Sequence, residues 1–156
     1  MEPSTSHAAL AVPLRFLAGV GAAAVATLVM DRVMARLPEG TTPPSVASGV
    51  LTERPPREAP PRLATVVHYL AGVLTGPLFV WLLFASEGVL GASPVATVAA
   101  AVVLYVLMVA FFVVVVLPRS LVDHDRVAVI RRDWAVSAAV YLLVLVPIVV
   151  AISRLL

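Results

Sequence analysis

The sequence contains no cysteine and no lysine among its 156 residues. The first absence excludes disulfides, thiolate metal sites, c-type haem attachment and cysteine nucleophiles together. The second makes every basic side chain an arginine, whose guanidinium stays ionised at any accessible pH. Charge is scarce as well. Only 13% of residues are charged and 61% are hydrophobic, against about 25% charged in an ordinary soluble domain. A soluble fold of this length could not cover so much apolar surface, whereas a bilayer does not require it to. No glycine-rich phosphate loop, H-E-x-x-H or G-x-S-x-G is present, so the familiar phosphate, zincin and serine-hydrolase chemistries have no footing. No catalytic residue, cofactor or metal site is assigned from the sequence.

What is there is a set of long apolar runs. The first extends from about Leu10 to Met30 and continues as an interfacial turn to residue 37, stopping before Pro38. The others are Leu63 to Ser86, Val95 to Leu117 and Trp134 to Ile152. Each is close to the roughly 20 residues that cross about 30 Å of hydrocarbon. The runs are continuous rather than alternating, which excludes barrel strands. The expectation is an all-α polytopic membrane protein of one domain, with four transmembrane helices in an antiparallel bundle. A cleaved leader, with Arg15 before the apolar stretch, is the rival for the first run. It would leave the arginine-rich segment that follows outside the membrane.

Arginine placement argues against that. Five arginines lie in 31–62 and four in 118–133, leaving Arg15 and Arg154 on the other side. The positive-inside rule then places both loops in the cytoplasm and both termini outside. Of the acids, only Glu2 and Glu87 fall on the outer side, so arginine–acid pairing is expected within the cytoplasmic loops. Arg32, Arg36, Arg62, Arg131 and Arg132 serve as topology anchors and contacts for lipid headgroups. The loop 38–62 divides in two. Thr42 followed by Pro43 and Pro44 predicts a capped helix start, with Ser45 to Leu51 as a short interfacial helix dipping Val46, Val50 and Leu51 toward lipid. ERPPREAPPR at 53–62 predicts an extended spacer.

Candidate site residues follow from depth and spacing. Gly72 and Gly76 form a G-x-x-x-G, and with Gly19 and Ala23 on the first helix they predict close packing in lipid. Pro77 and Pro147 predict bends. His68 lies six residues past Arg62, about 9 Å into the helix at 1.5 Å per residue. An ionisable group at that depth serves either a pathway or ligand, or a packing contact between helices. Asp31, Thr27, Thr65, His68, Ser137 and Tyr141 enter at similar depth and form a candidate polar cluster. The simpler expectation for Asp31 is an interfacial carboxylate paired with Arg32 or Arg36. Val113 to Val116 and Val144, Val146, Val149 and Val150 predict surfaces that face lipid or a partner, and Tyr105 needs a hydroxyl partner on another helix. In VDHDR at 122–126, Asp–Arg pairing is expected over a divalent ion site. Nucleic-acid binding has no support, because the basic groups are interleaved with acids and flanked by apolar spans.

The stretch TLVMDRVMARLPEGTTPPSVASGVLTERPP, followed by VHYLAGVLTGPLFVWLLF, resembles small uncharacterised four-helix membrane proteins of halophilic archaea. The resemblance covers about residues 20–85. It implies architecture and source only. The leading functional expectation is a non-enzymatic membrane protein embedded in the lipid bilayer, acting as a homo-oligomer or as an accessory subunit of a larger complex. A small channel or transporter is the second expectation and a lipid-modifying enzyme the third.

Overall fold

The structure, a computed structural model, describes residues 4–155, with side chains described from residue 11. Glu2, one of the two acids assigned to the outer side, lies outside the described residues. Five α-helices account for most of the chain: α1 (Ser4–Met34), α2 (Thr42–Thr52), α3 (Pro61–Leu90), α4 (Pro94–Ala110) and α5 (His124–Ser153). No strand occurs among the described residues. Four stretches, Ala11–Met34, Pro61–Leu90, Pro94–Arg119 and His124–Ser153, are long and apolar enough to cross a membrane. The chain is a multi-pass membrane protein.

Helices α1 and α3 pack on each other, α1 also packs on α5, and α4 touches both α3 and α5. The main core lies between these four. It includes Ala23 and Ala26 of α1, Phe79 of α3, Leu104 of α4, and Tyr141 and Leu145 of α5. A second, smaller cluster closes the arginine-rich end, where Val46 of α2 meets Phe112, Leu117 and Ile130. Tyr105 finds its partner on α5, donating to the Ala135 carbonyl at 3.3 Å.

Several boundaries differ from the sequence expectation. The helix α3 begins at Pro61 rather than Leu63, because proline suits the first helical turn and its missing N–H has no partner there anyway. The stretch 118–133, expected as a loop, is helical from His124 onward. From His124 on it lacks proline and glycine, so nothing there breaks a helix that α5 already propagates. Thr42 is the first residue of α2 rather than its cap, and its hydroxyl donates to the Glu39 carboxylate instead. The spacer 53–60 is turned rather than extended: Glu53 adopts φ 55°, and the Glu58 N–H reaches the Pro55 carbonyl at 2.9 Å. Paired prolines that fix φ favour such a turn as readily as an extended run. Both Pro77 and Pro147 lie inside unbroken helices.

The α2 helix lies across the end of the bundle, so Val46 is fully buried against protein and does not dip into lipid, while Leu51 is exposed. Val149 is likewise a core residue, and Val113 and Val116 pack on the second cluster. Val114 alone of that run is strongly exposed.

The last turns of the third span depart from α geometry. Phe111–Val116 form a π-helix, in which the Leu117 N–H bonds the Phe112 carbonyl five residues back, followed by a 3₁₀ turn at Leu117–Arg119. Four successive β-branched valines crowd an α-helix, and Pro118 cannot donate to the Val114 carbonyl. The wider turn accommodates both. Just before it, the Met108 carbonyl, which also accepts the Phe111 N–H, accepts the Trp134 indole N–H at 3.2 Å.

Candidate functional site

Asp31, in the last turns of α1, receives two hydrogen bonds from α3. Its Oδ1 lies 2.6 Å from His68 Nε2, and its Oδ2 accepts the Tyr69 hydroxyl at 2.6 Å. The expected pairing of Asp31 with Arg32 or Arg36 does not form. Offsets of one and five residues place those side chains on other faces of the helix, and both guanidiniums instead reach back to carbonyls four residues earlier, at Leu28 and Arg32. With Nε2 committed to a carboxylate, the neutral imidazole is held as its Nε2–H tautomer and Nδ1 keeps the lone pair. The His68 side chain is only 10% exposed.

His68 forms part of the wall of a cavity of about 210 Å³. Pro43, Pro44 and Ala47 of α2 close it toward the arginine-rich end, and the π-helical Phe111 and Phe112 form one flank. Trp134 and Tyr141 of α5 complete the aromatic lining, with Phe112 and Trp134 rings 4.9 Å apart. Tyr141 is fully buried and donates to the Gly72 carbonyl at 2.7 Å, so its hydroxyl is already satisfied. Phe111 lines the cavity yet is 61% exposed on the lipid-facing surface, which makes its ring the divider between cavity and exterior. The lining is almost entirely apolar. A pre-formed apolar hollow with very few polar atoms is the ordinary form of a small-molecule site.

Two contacts fasten the turn that leads into α2. Glu39 binds Arg126 of α5 through two parallel bonds of 2.7 Å each, the bidentate geometry that planar guanidinium favours. The backbone N–H of Glu39 donates to Asp133 Oδ2 at 2.7 Å. Asp133 is fully buried, and its other oxygen accepts from Arg132. The Arg126 guanidinium holds the Glu39 carboxyl below the ordinary carboxylate value, with burial opposing in part. Arginine–acid pairing thus joins the two charged segments to each other, including a looser Arg57–Asp123 contact at 4.0 Å beside His124. At the other end, Arg15 pairs with Glu87 at 3.2 Å.

Of the sequence-derived polar cluster, His68 and Tyr141 line the cavity, and Asp31 stands behind the wall, bonded to His68. Thr27 and Ser137 are buried, but each hydroxyl donates to its own helix, at Ala23 and Asp133 respectively. Thr65 is exposed, bonds the Pro61 carbonyl and takes no part. Gly19, Ala23, Gly72 and Gly76 sit at the α1–α3 crossing: a Cβ added to Gly76 would fall 2.0 Å from the Gly19 carbonyl oxygen and 2.7 Å from Ala23 Cβ. Arg62 and Arg131 are exposed.

Sequence reasoning missed Tyr69, Glu39, Asp133 and the π-helical phenylalanines. Asp133 left one signal, since it stands four residues before Ser137 and eight before Tyr141, on the same helical face. Tyr69 could be sought as an interfacial phenol beside His68. No family model, curated protein or solved structure matches the chain.

Proposed function

We propose that the protein holds a small apolar guest in the chamber beneath α2, within the cytoplasmic half of an antiparallel four-helix bundle. Both termini then lie outside and the arginine-rich segments 31–62 and 118–133 face the cytoplasm. The pairing of Arg15 with Glu87 at one end and of Asp31 with His68 at the other supports opposite directions for α1 and α3. One observation carries the reading: a hollow of about 210 Å³ persists among aromatic side chains that would otherwise close-pack. It is somewhat larger than the roughly 150 Å³ cavity that takes up benzene in a soluble protein. A ring or a short length of chain fits it, and a whole phospholipid does not.

A conduit fits less well. Between the cavity and a separate hollow of about 410 Å³ beside Arg15 and Glu87 at the other end stand Phe79, Val80, Leu83, Leu104 and Leu145, all buried and apolar. The protein is then a holding component, alone, as a homo-oligomer or as an accessory subunit of a larger membrane complex. Photolabelling in liposomes with an apolar diazirine tests this directly. Label should concentrate on Val67–Thr75 and Phe111–Val116, and Ala47→Trp, which fills the hollow, should remove it. Label spread evenly over lipid-facing positions would overturn the reading.

A further inference from the structure

From the state of His68 we infer the chemical class of the guest: a lipid-soluble molecule carrying one hydroxyl, which bonds His68 Nδ1 and enters from the bilayer past Phe111. The inference rests on the chamber reading and sharpens it. Asp31 occupies Nε2, so Nδ1 is the one polar ring atom His68 has left for the cavity it lines. The other titratable and polar groups near the ring are spoken for. Tyr69 donates to Asp31, Tyr141 to the Gly72 carbonyl, and Thr75, also in the wall, to the Ala71 carbonyl at 2.7 Å.

A neutral imidazole presents Nδ1 as an acceptor and an imidazolium presents it as a donor. A hydroxyl satisfies either form, since it both donates and accepts, whereas an ether or carbonyl satisfies only the second. The remainder of the wall offers dispersion contacts alone, so the rest of the guest is hydrocarbon. The route follows from exposure. On the α2 side Pro43 is buried and Pro44 and Ala47 are half-buried, while Phe111 and Ala71 in the same wall are open to the apolar exterior. A guest reaching the cavity past those residues arrives from lipid.

The chain has two tryptophans, of which Trp134 lines the cavity and Trp81 is exposed on the lipid-facing surface. In full-length Trp81→Phe protein in liposomes, Trp134 fluorescence is quenched by a bromine-labelled medium-chain alcohol, its methyl ether and the parent alkane, each compared at equal mole fraction in the bilayer. The alcohol should bind about tenfold more tightly than the other two, the worth of one hydrogen bond made in an apolar site. His68→Phe should abolish that preference while the alkane still quenches, and His68→Leu gives the same reading where the phenyl variant fails to fold. Equal binding of all three to the His68 protein overturns the hydroxyl assignment and leaves the chamber intact. An ether as good as the alcohol also overturns it. Failure of all three to quench Trp134 rejects the chamber itself.

Discussion

Asp31 lies one residue from Arg32 and five from Arg36, yet its partners are His68 and Tyr69, thirty-seven and thirty-eight positions away. Helical geometry decides this: neighbours at those short offsets face elsewhere, while the antiparallel crossing we propose brings α3 to the same depth. The closeness of that crossing depends on Gly76. Gly76→Ala should destabilise the protein by about 1–3 kcal/mol, the usual range for overpacking a tight contact, whereas Gly21→Ala, with nothing within 4 Å of its Cβ, should be neutral. Reversible unfolding in mixed micelles separates the two, and equal effects would refute the close crossing. Asp133 makes a second residue-scale case. Asp133→Ala removes a buried acceptor, leaves the part-buried Glu39 N–H without its partner and should lose about 1–3 kcal/mol, while Asp133→Asn keeps an acceptor oxygen and should lose less in the same assay.

At the scale of elements, α2 and the turn before it are held to α5 by Glu39 twice over, once through its carboxylate and once through its amide. The carboxylate contact is pH-dependent with a definite sign. Its folded-state pKa lies below the unfolded one, so the stabilisation is complete above the ordinary carboxylate range and is lost as pH falls through the depressed value. A spin-label pair on α2 and α5 should therefore broaden in distance below that range. Glu39→Gln should remove the transition and leave the label distribution the same at all pH values; a transition unchanged in the variant would place the titration elsewhere. The π-helix belongs to this scale too. Its valine run and Pro118 were visible in the sequence, but the outcome was not. A crowded helix end can fray, tighten or widen, and the Trp134 indole N–H that donates to the Met108 carbonyl just before the widened turn comes from another helix.

For the molecule as a whole, the absence of cysteine permits a clean topology measurement. Arg57→Cys should react with a membrane-impermeant maleimide only from the cytoplasmic side, and Val89→Cys only from the outside; the reverse pattern would invert the orientation proposed from arginine placement. Both positions are exposed, so failure to label reports sidedness rather than burial.

The number of apolar spans, the exclusion of thiol chemistry and the all-helical class were legible from the sequence alone, because each is a local property of composition and run length. Close packing of Gly72 and Gly76 was legible for a related reason: removing a side chain at successive turns marks a contact whatever the partner. Helix rotation was not legible. These spans are apolar toward lipid and core alike, so no polar stripe distinguishes one face from the other. Only the tertiary structure decided that Val46 and Val149 face inward, that Thr65 stays outside the site, that a buried Asp133 fastens a loop thirty-odd residues past the start of the chain, and that a hollow remains beside His68. Each of these depends on contacts between segments far apart in sequence, where local pattern carries no information about which side chains meet.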